Sequence, residues 1–494
     1  MKVAIIGSGL GGLAIAAQIK SGVTNDMVVF EKGDDLGGVW RVNRYPNAAC
    51  DTPVEMYAMT FFRKHNWSSN FAPWHEILDY ANELAAHYDL RENIRFNSLV
   101  MSAVWLGDVN RWRITLANGS TWSADFLIWA GGLFSQPLIP GLPGIDSFKG
   151  QIIHTANWHA DIDLSGKKVA LAGSGASSIQ VLPYAVQHAA QVYAFIRTPS
   201  YVMPKPEESY GEKEWESFRT QPELQAEKRR KWVDFFEDAA RSRFPMDEAA
   251  ITLVEKAWKK YLEQEVVDAS LRKMLTPNYR FGCKRPLVSN AYYQSFNKPN
   301  IQAVAGGVTG LFDEGVIGPS GEKYAVDMVI LATGFRTARM LGELNIVGRG
   351  GQSLSAIWGD RPEAFLGMLM KGFPNFFMVG GPNATAASLS SMVEAQAGFI
   401  RQCIRKVDAM GARSIDVRPE VQDTFNKEID RWGNASVMVQ GGCESYYRAG
   451  GDGGVFTHWP NTVASYVDAT REMDSTHFYF DEINEDVHAM DSLR

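Results

Sequence analysis

Two segments of the 494-residue chain pair a small-residue turn with a charged residue nineteen positions further on, and the two charges have opposite sign. In the first, Val3–Ile6 runs into Gly7-Ser-Gly9-Leu-Gly-Gly12 and an apolar helical stretch, and Glu31 follows the next apolar run, Met27–Phe30. Gly7 suits a tight turn, Gly9 lets the backbone approach a pyrophosphate, and Gly12 lets helix and strand pack closely. The free N–H groups at the helix start favour that anion. Glu31 can accept hydrogen bonds from an adenosine ribose. In the second segment an apolar run enters Gly173-Ser-Gly175-Ala-Ser177-Ser178, and the following run, Gln191–Ile196, ends at Arg197. Ser178 stands where a third glycine is usual. An arginine at this place binds a 2′-phosphate through paired hydrogen bonds, whereas an acid would repel it. The first site is therefore expected to take FAD or NAD and the second NADP, with Thr198 beside the phosphate. Together they imply hydride transfer from NADPH to a flavin.

Residues so placed need strand–turn–helix units, and the recurrence of the unit predicts an α/β protein. The expectation is two doubly wound, Rossmann-like dinucleotide-binding domains with a helical insertion. The runs Glu207–Glu216 and Glu227–Arg243 are rich in charge, with apolar residues at helical spacing, and predict surface helices over about 206–282. The FAD domain is expected over 1–145 and 365–494, and the NADP domain over 146–205 and 283–364.

Composition is that of an ordinary globular protein, with 45% hydrophobic and 21% charged residues. The net charge of −7 gives no electrostatic case for nucleic acid. The longest charge-poor stretch, 372–393, is broken by Pro374, Pro382, Asn375 and Asn383, so no membrane span is expected. Cys50, Cys283, Cys403 and Cys443 are scattered, which suggests neither a metal site nor a dithiol redox centre. Few cysteines and no secretory leader ahead of Val3 point to the cytoplasm.

Other segments are more specific than either glycine turn. Gly37-Gly-Val-Trp40 leads to Cys50-Asp51; Phe148-Lys-Gly150 leads to His154 and Trp158; Gly282-Cys-Lys284-Arg285 and Ala332-Thr-Gly334-Phe335 follow. In this order the chain resembles the type I Baeyer–Villiger monooxygenases over nearly its whole length. Their fingerprint, FxGxxxHxxxW followed by Pro or Asp, is matched by Phe148, Gly150, His154 and Trp158, with His159 departing at the last place. Ser445-Tyr446-Tyr447-Arg448 and Trp459-Pro460 resemble the branch acting on aryl ketones such as hydroxyacetophenone, although Tyr446-Tyr447 replaces the usual Trp-Tyr. Ala130-Gly-Gly replaces an Ala-Thr-Gly turn.

The resemblance implies FAD and NADPH as cofactors and a C4a-peroxyflavin that attacks a ketone to give an ester or lactone. It implies Arg285 as the fixed cation over the flavin and Asp51 as its partner, with Lys284 touching NADP. It places His154 in the linker, coupling domain motion to the NADP cycle and not acting as a general base. Trp40 and Tyr57 are expected to line the flavin, and Cys50 to be packing. Substrate is expected where the two domains face each other, near the isoalloxazine and Arg285. The competing readings are a flavin-containing monooxygenase oxidising N or S centres, which would lack the Lys284-Arg285 pair, and an NADPH oxidase or flavin reductase without oxygen transfer. Ketones, and sulfides as a second class, are the expected substrates beside O2.

Overall fold

The computed structural model describes residues 1–386, 388–451 and 453–481, so the end of the FAD domain expected at residue 494 lies outside them. Short apolar runs become fully buried parallel strands, as strands covered by helices on both faces must be. β1 (Val3–Ile6), β2 (Met27–Phe30), β3 (Ile94–Arg95) and β4 (Phe126–Trp129) begin one sheet, with Val3 opposite both Met27 and Phe126. Helix α1 (Leu10–Gly22) carries the chain from β1 to β2 and buries Leu13, Ile15 and Ile19.

The chain then builds a second parallel sheet from β5 (Gln151–His154), β6 (Lys168–Ala172), β7 (Gln191–Ile196), β8 (Ile301–Ala305) and β9 (Met328–Leu331), in the order β8-β7-β6-β9-β5. Helix α2 (Ala176–His188) crosses from β6 to β7. Strand β10 (Phe376–Met378) returns to pair with β4, completing the first sheet as β10-β4-β1-β2-β3. In each sheet the first strand of the glycine unit has neighbours on both sides reached in opposite directions. A crevice therefore opens at its carboxyl end, where a ligand binds in such sheets.

Between β7 and β8 the helices α3 (Glu212–Thr220), α4 (Pro222–Arg241), α5 (Glu248–Glu265) and α6 (Ala269–Met274) form a layer against both bodies, ahead of a short helix at Tyr292–Ser295. Tyr210 donates to Glu55 at 2.6 Å, and Arg229 of α4 donates to the Glu55 and Ala58 carbonyls. Tyr45 donates to Gln180 of α2 at 2.8 Å, linking the two bodies again.

The return to the first body comes near residue 340, ahead of the expected 365. Met340, Leu344, Ile346 and Leu354 pack with Trp105 and Trp112, and Asn345–Val347 pairs with Val100–Leu106. Nothing in the local pattern of that segment shows which of two apolar cores it joins. Among the described residues no helix is long and apolar enough to cross a membrane.

Candidate active site

At the end of β1, Gly7 has φ +102°, a left-handed conformation that a side chain resists, and an added Cβ would lie 2.6 Å from the Ala130 carbonyl oxygen. Gly12 faces the Gly7 carbonyl so closely that any Cβ would collide with it. Gly9 is the N-cap of α1 and packs on Gly38. Glu31 is buried and reaches back to the same turn. It accepts from the Ser8 amide at 2.9 Å and hydroxyl at 2.8 Å, and from the Gly33 amide at 2.8 Å. Trp40 donates from its indole N–H to the Tyr57 hydroxyl at 2.7 Å, with the rings edge to face. Both are half-buried beside this turn's loop, and Cys50 is buried in the same apolar cluster.

The second turn solves its packing differently. Gly173 has φ +133° and presses on Ala332. Ser178, in the third-glycine place, is buried and donates its hydroxyl to the Gly173 carbonyl at 2.7 Å. Gly175 has open space where a side chain would stand, and Ser177, half-buried in the first turn of α2, meets the Tyr45 hydroxyl. Thr198 contributes its backbone here, accepting from the Ser174 hydroxyl. Arg197 is exposed at the end of β7, and Lys284 lies within its electrostatic reach. Burial first, and the Arg197 charge second, pull Lys284 below the usual lysine range. Two cations near the end of β7, with Glu444 offsetting only part of the charge on Lys284, suit a phosphate. These two cradles, free of obstructing side chains, fit FAD and NADP.

The fingerprint residues lie on and beside β5, the edge strand of the second sheet, and Trp158 shares an apolar cluster with Tyr45 and Ala48 of the first body. Phe148 and Trp158 are buried, and Gly150 lies against Phe148 and the Asp327 carbonyl. His154 is buried; its Nδ1 accepts from the Ala156 amide and its Nε2 lies 3.1 Å from the Gly334 carbonyl. Burial lowers its pKa, so the neutral ring with a proton on Nε2 satisfies both contacts. His159, the departing residue, is exposed, and its replacement of Pro or Asp disturbs no packing.

Arg285 and Asp51 meet between the two bodies. Arg285 donates to Asp51 through Nε at 2.8 Å and Nη2 at 2.7 Å, a bidentate pair. Burial alone would raise the Asp51 pKa; the Arg285 charge overrides it and holds the carboxyl below its usual range. Asp51 in turn raises Arg285 well above the usual arginine value. Tyr446 lies in reach of Arg285, and its ring packs on Phe134, which also meets Phe335.

Two features went unseen in the sequence. Cys283 and Cys443, expected to stand apart, are joined in a disulfide across 160 residues, while Cys50 and Cys403 are free and buried. The bridge fastens the Arg285 loop to the Tyr446 loop. His458 is the other. It packs on Tyr447 at 4.5 Å, its Nδ1 lies 3.1 Å from the Thr385 hydroxyl, and Asn383 holds its carbonyl. Burial, then the charges of Arg243 and Arg285, push its pKa down to about 3.

His458 has a consequence for stability. The unfolded chain takes up a proton at His458 below about pH 6.5 and the native chain does not. Native stability is thus expected to fall on acidification by roughly 1 kcal/mol per pH unit from this group. Denaturant unfolding between about pH 7 and pH 5 should show a shallower slope in His458→Asn. An unchanged slope would mean that His458 is protonated in the native state.

A flavin-binding monooxygenase-like family model matches residues 1–221. A Baeyer-Villiger monooxygenase of Streptomyces coelicolor is 33% identical over 477 residues, covering 96% of this chain and 91% of the relative. Another from Pseudomonas aeruginosa is 31% identical over 97% of this chain and 91% of its own length. Among solved structures, an oxidized steroid monooxygenase bound to NADP superposes with a TM-score of 0.88 at 28% identity, covering 98% and 99% of the two chains. Cyclohexanone monooxygenase from Rhodococcus sp. Phi1 bound to NADP+ gives 0.87 at 26% identity over the same shares.

Two Rossmann-type units, one ending in an acid and one in an arginine, with a guanidinium–carboxylate pair between them, define an FAD- and NADPH-dependent flavoprotein oxygenase. The chain belongs to the Baeyer–Villiger monooxygenases. It inserts one oxygen atom of O2 beside a ketone carbonyl to give an ester or lactone.

Proposed function

We propose that Arg285, fixed by Asp51, is the catalytic cation of this reaction, and that the ketone lies against Arg285 and Tyr446. The net change is ketone, O2, NADPH and a proton to ester, water and NADP+. When bound, NADPH supplies the hydride and FAD the oxygen-carrying ring. The observation that carries the reading is the bidentate Asp51–Arg285 pair. It fixes the guanidinium plane while leaving Nη1 free of Asp51, so a donor remains for the negative charge that grows on the carbonyl oxygen. Gly7, Gly9, Gly12 and Glu31 hold FAD, with Trp40 and Tyr57 beside the ring system. Gly173, Gly175, Ser177 and Ser178 hold the NADP pyrophosphate end, and Arg197, Thr198 and Lys284 the 2′-phosphate. Phe148, Gly150, His154 and Trp158 couple the two bodies.

Phe134, Phe335 and Tyr446 supply an aromatic wall, which supports a ketone with a flat or apolar body. We place the FAD domain at 1–145 and from about 340 onward, with the NADP domain between and the helical insertion at 206–282. A reaction fed by NADPH supports a cytoplasmic location, whereas the Cys283–Cys443 disulfide is a bond rare in that compartment.

The test is chromatography of purified protein, FAD and NADPH with cyclic, linear and aryl ketones and with sulfides. Esters or lactones are expected from at least one ketone class. Sulfoxide alone, or hydrogen peroxide without any oxygenated product, would overturn the ketone assignment.

A further inference from the structure

A second guanidinium stands near Arg285 with no acid to balance it among the described residues. Arg243 lies just beyond the end of α4, in the helical layer. Its Nε donates to the Ala239 carbonyl at 2.9 Å, and neither Nη has a protein acceptor among the described residues. No carboxylate among the described residues lies within ion-pair distance of it, whereas Arg285 has Asp51. The stem is fixed on one side by Gly282, where a Cβ would lie 2.7 Å from the Arg243 Cδ, and the next residue is held by the Cys283–Cys443 bridge. The charge faces Arg285, Tyr447 and His458.

Asp51 neutralises Arg285 but not Arg243, and the neutral His458 adds no compensation, so the two half-buried guanidiniums share one negative charge. Such a pair is stabilised when an anion enters. The cofactor's anionic groups have their own partners elsewhere, Arg197 and Lys284 for the 2′-phosphate and the start of α2 for the pyrophosphate. The anion that meets Arg243 therefore comes with the substrate.

We propose that Arg243 is a specificity-determining residue that binds a carboxylate on the ketone substrate through its two free Nη groups, so that keto acids are the preferred substrates. This rests on the reading that Arg285 meets the ketone oxygen. With the ketone end there, a carboxylate elsewhere on the same molecule reaches Arg243, and the planar guanidinium fork matches a carboxylate in two-point contact.

The experiment compares matched pairs with FAD-loaded enzyme: levulinate against methyl isoamyl ketone, and para-acetylbenzoate against para-methylacetophenone. The acid is expected to exceed its neutral partner in kcat/KM in at least one pair. Arg243→Met should lower that acid-to-neutral ratio roughly 10- to 100-fold, and Arg243→Lys should keep part of it. Calorimetric titration of the preferred acid into the FAD-loaded protein should show the same loss of affinity in Arg243→Met. Equal ratios in both pairs for the wild type would overturn the proposal. So would a rise in the KM for NADPH in place of the acid, which would assign Arg243 to a phosphate. Should neither acid nor neutral ketone yield an ester, the Arg285 reading fails, and the calorimetric comparison still decides for or against Arg243.

Discussion

Arg285→Ala should leave the bound flavin reducible by NADPH yet cut ester formation by roughly two to three orders of magnitude, the cost of losing one preorganised charge donor. The two halves of the cycle separate here because, on the proposed assignment, NADPH binding draws on Arg197, Lys284 and the second glycine turn, whereas the ketone oxygen draws on the guanidinium. The variant also strips Asp51 of two charged hydrogen bonds, at 2.7 and 2.8 Å, and leaves an unpaired carboxylate where negative charge is to grow. Both effects act against the same step. NADPH consumption should persist and appear as hydrogen peroxide. Rapid-mixing absorbance of the flavin and chromatography of the ester read the two halves independently. Equal loss of both would place Arg285 in NADPH binding.

For Arg197→Ala the expected result is a shift in cofactor preference, with kcat/KM for NADPH reduced roughly 10- to 100-fold and NADH affected far less. Arg197 is exposed and has no acidic partner among the described residues, so removing it costs little stability; its charge is available to a ligand. Lys284, close by, retains part of the attraction and sets the lower end of that range. Steady-state kinetics with both nucleotides measures the effect, and an unaltered preference would refute the phosphate assignment.

The reach of each interaction decides how much of this site is legible in the sequence. Gly7, Gly9, Gly12 and Glu31 were legible because strand, turn and helix are contiguous and the acid lies one strand away. The same local logic found Gly173, Gly175 and Arg197, and it allowed for Ser178 in place of glycine without showing its bond to the Gly173 carbonyl. Resemblance carried Arg285 and Asp51, which lie 234 residues apart and which no periodicity connects. What stayed hidden depends on several distant segments converging. The segment around Met340 could have joined either core. Cys283 and Cys443 share no local spacing. His458 receives its surroundings from Thr385, Asn383, Tyr447 and two arginines, and Arg243 read as one more charge at the end of a surface helix. The first sheet's edge, the linker and both cradles are local; the pocket between them is not.

The Cys283–Cys443 link has a consequence for how these loops can move. Arg285 lies two positions from one sulfur-bearing residue and Tyr446 three from the other, so the covalent tie makes these two walls travel as a single jaw. A displacement of either loop therefore carries the other with it, and Asp51, which has no part in the bridge, is the other tie on Arg285.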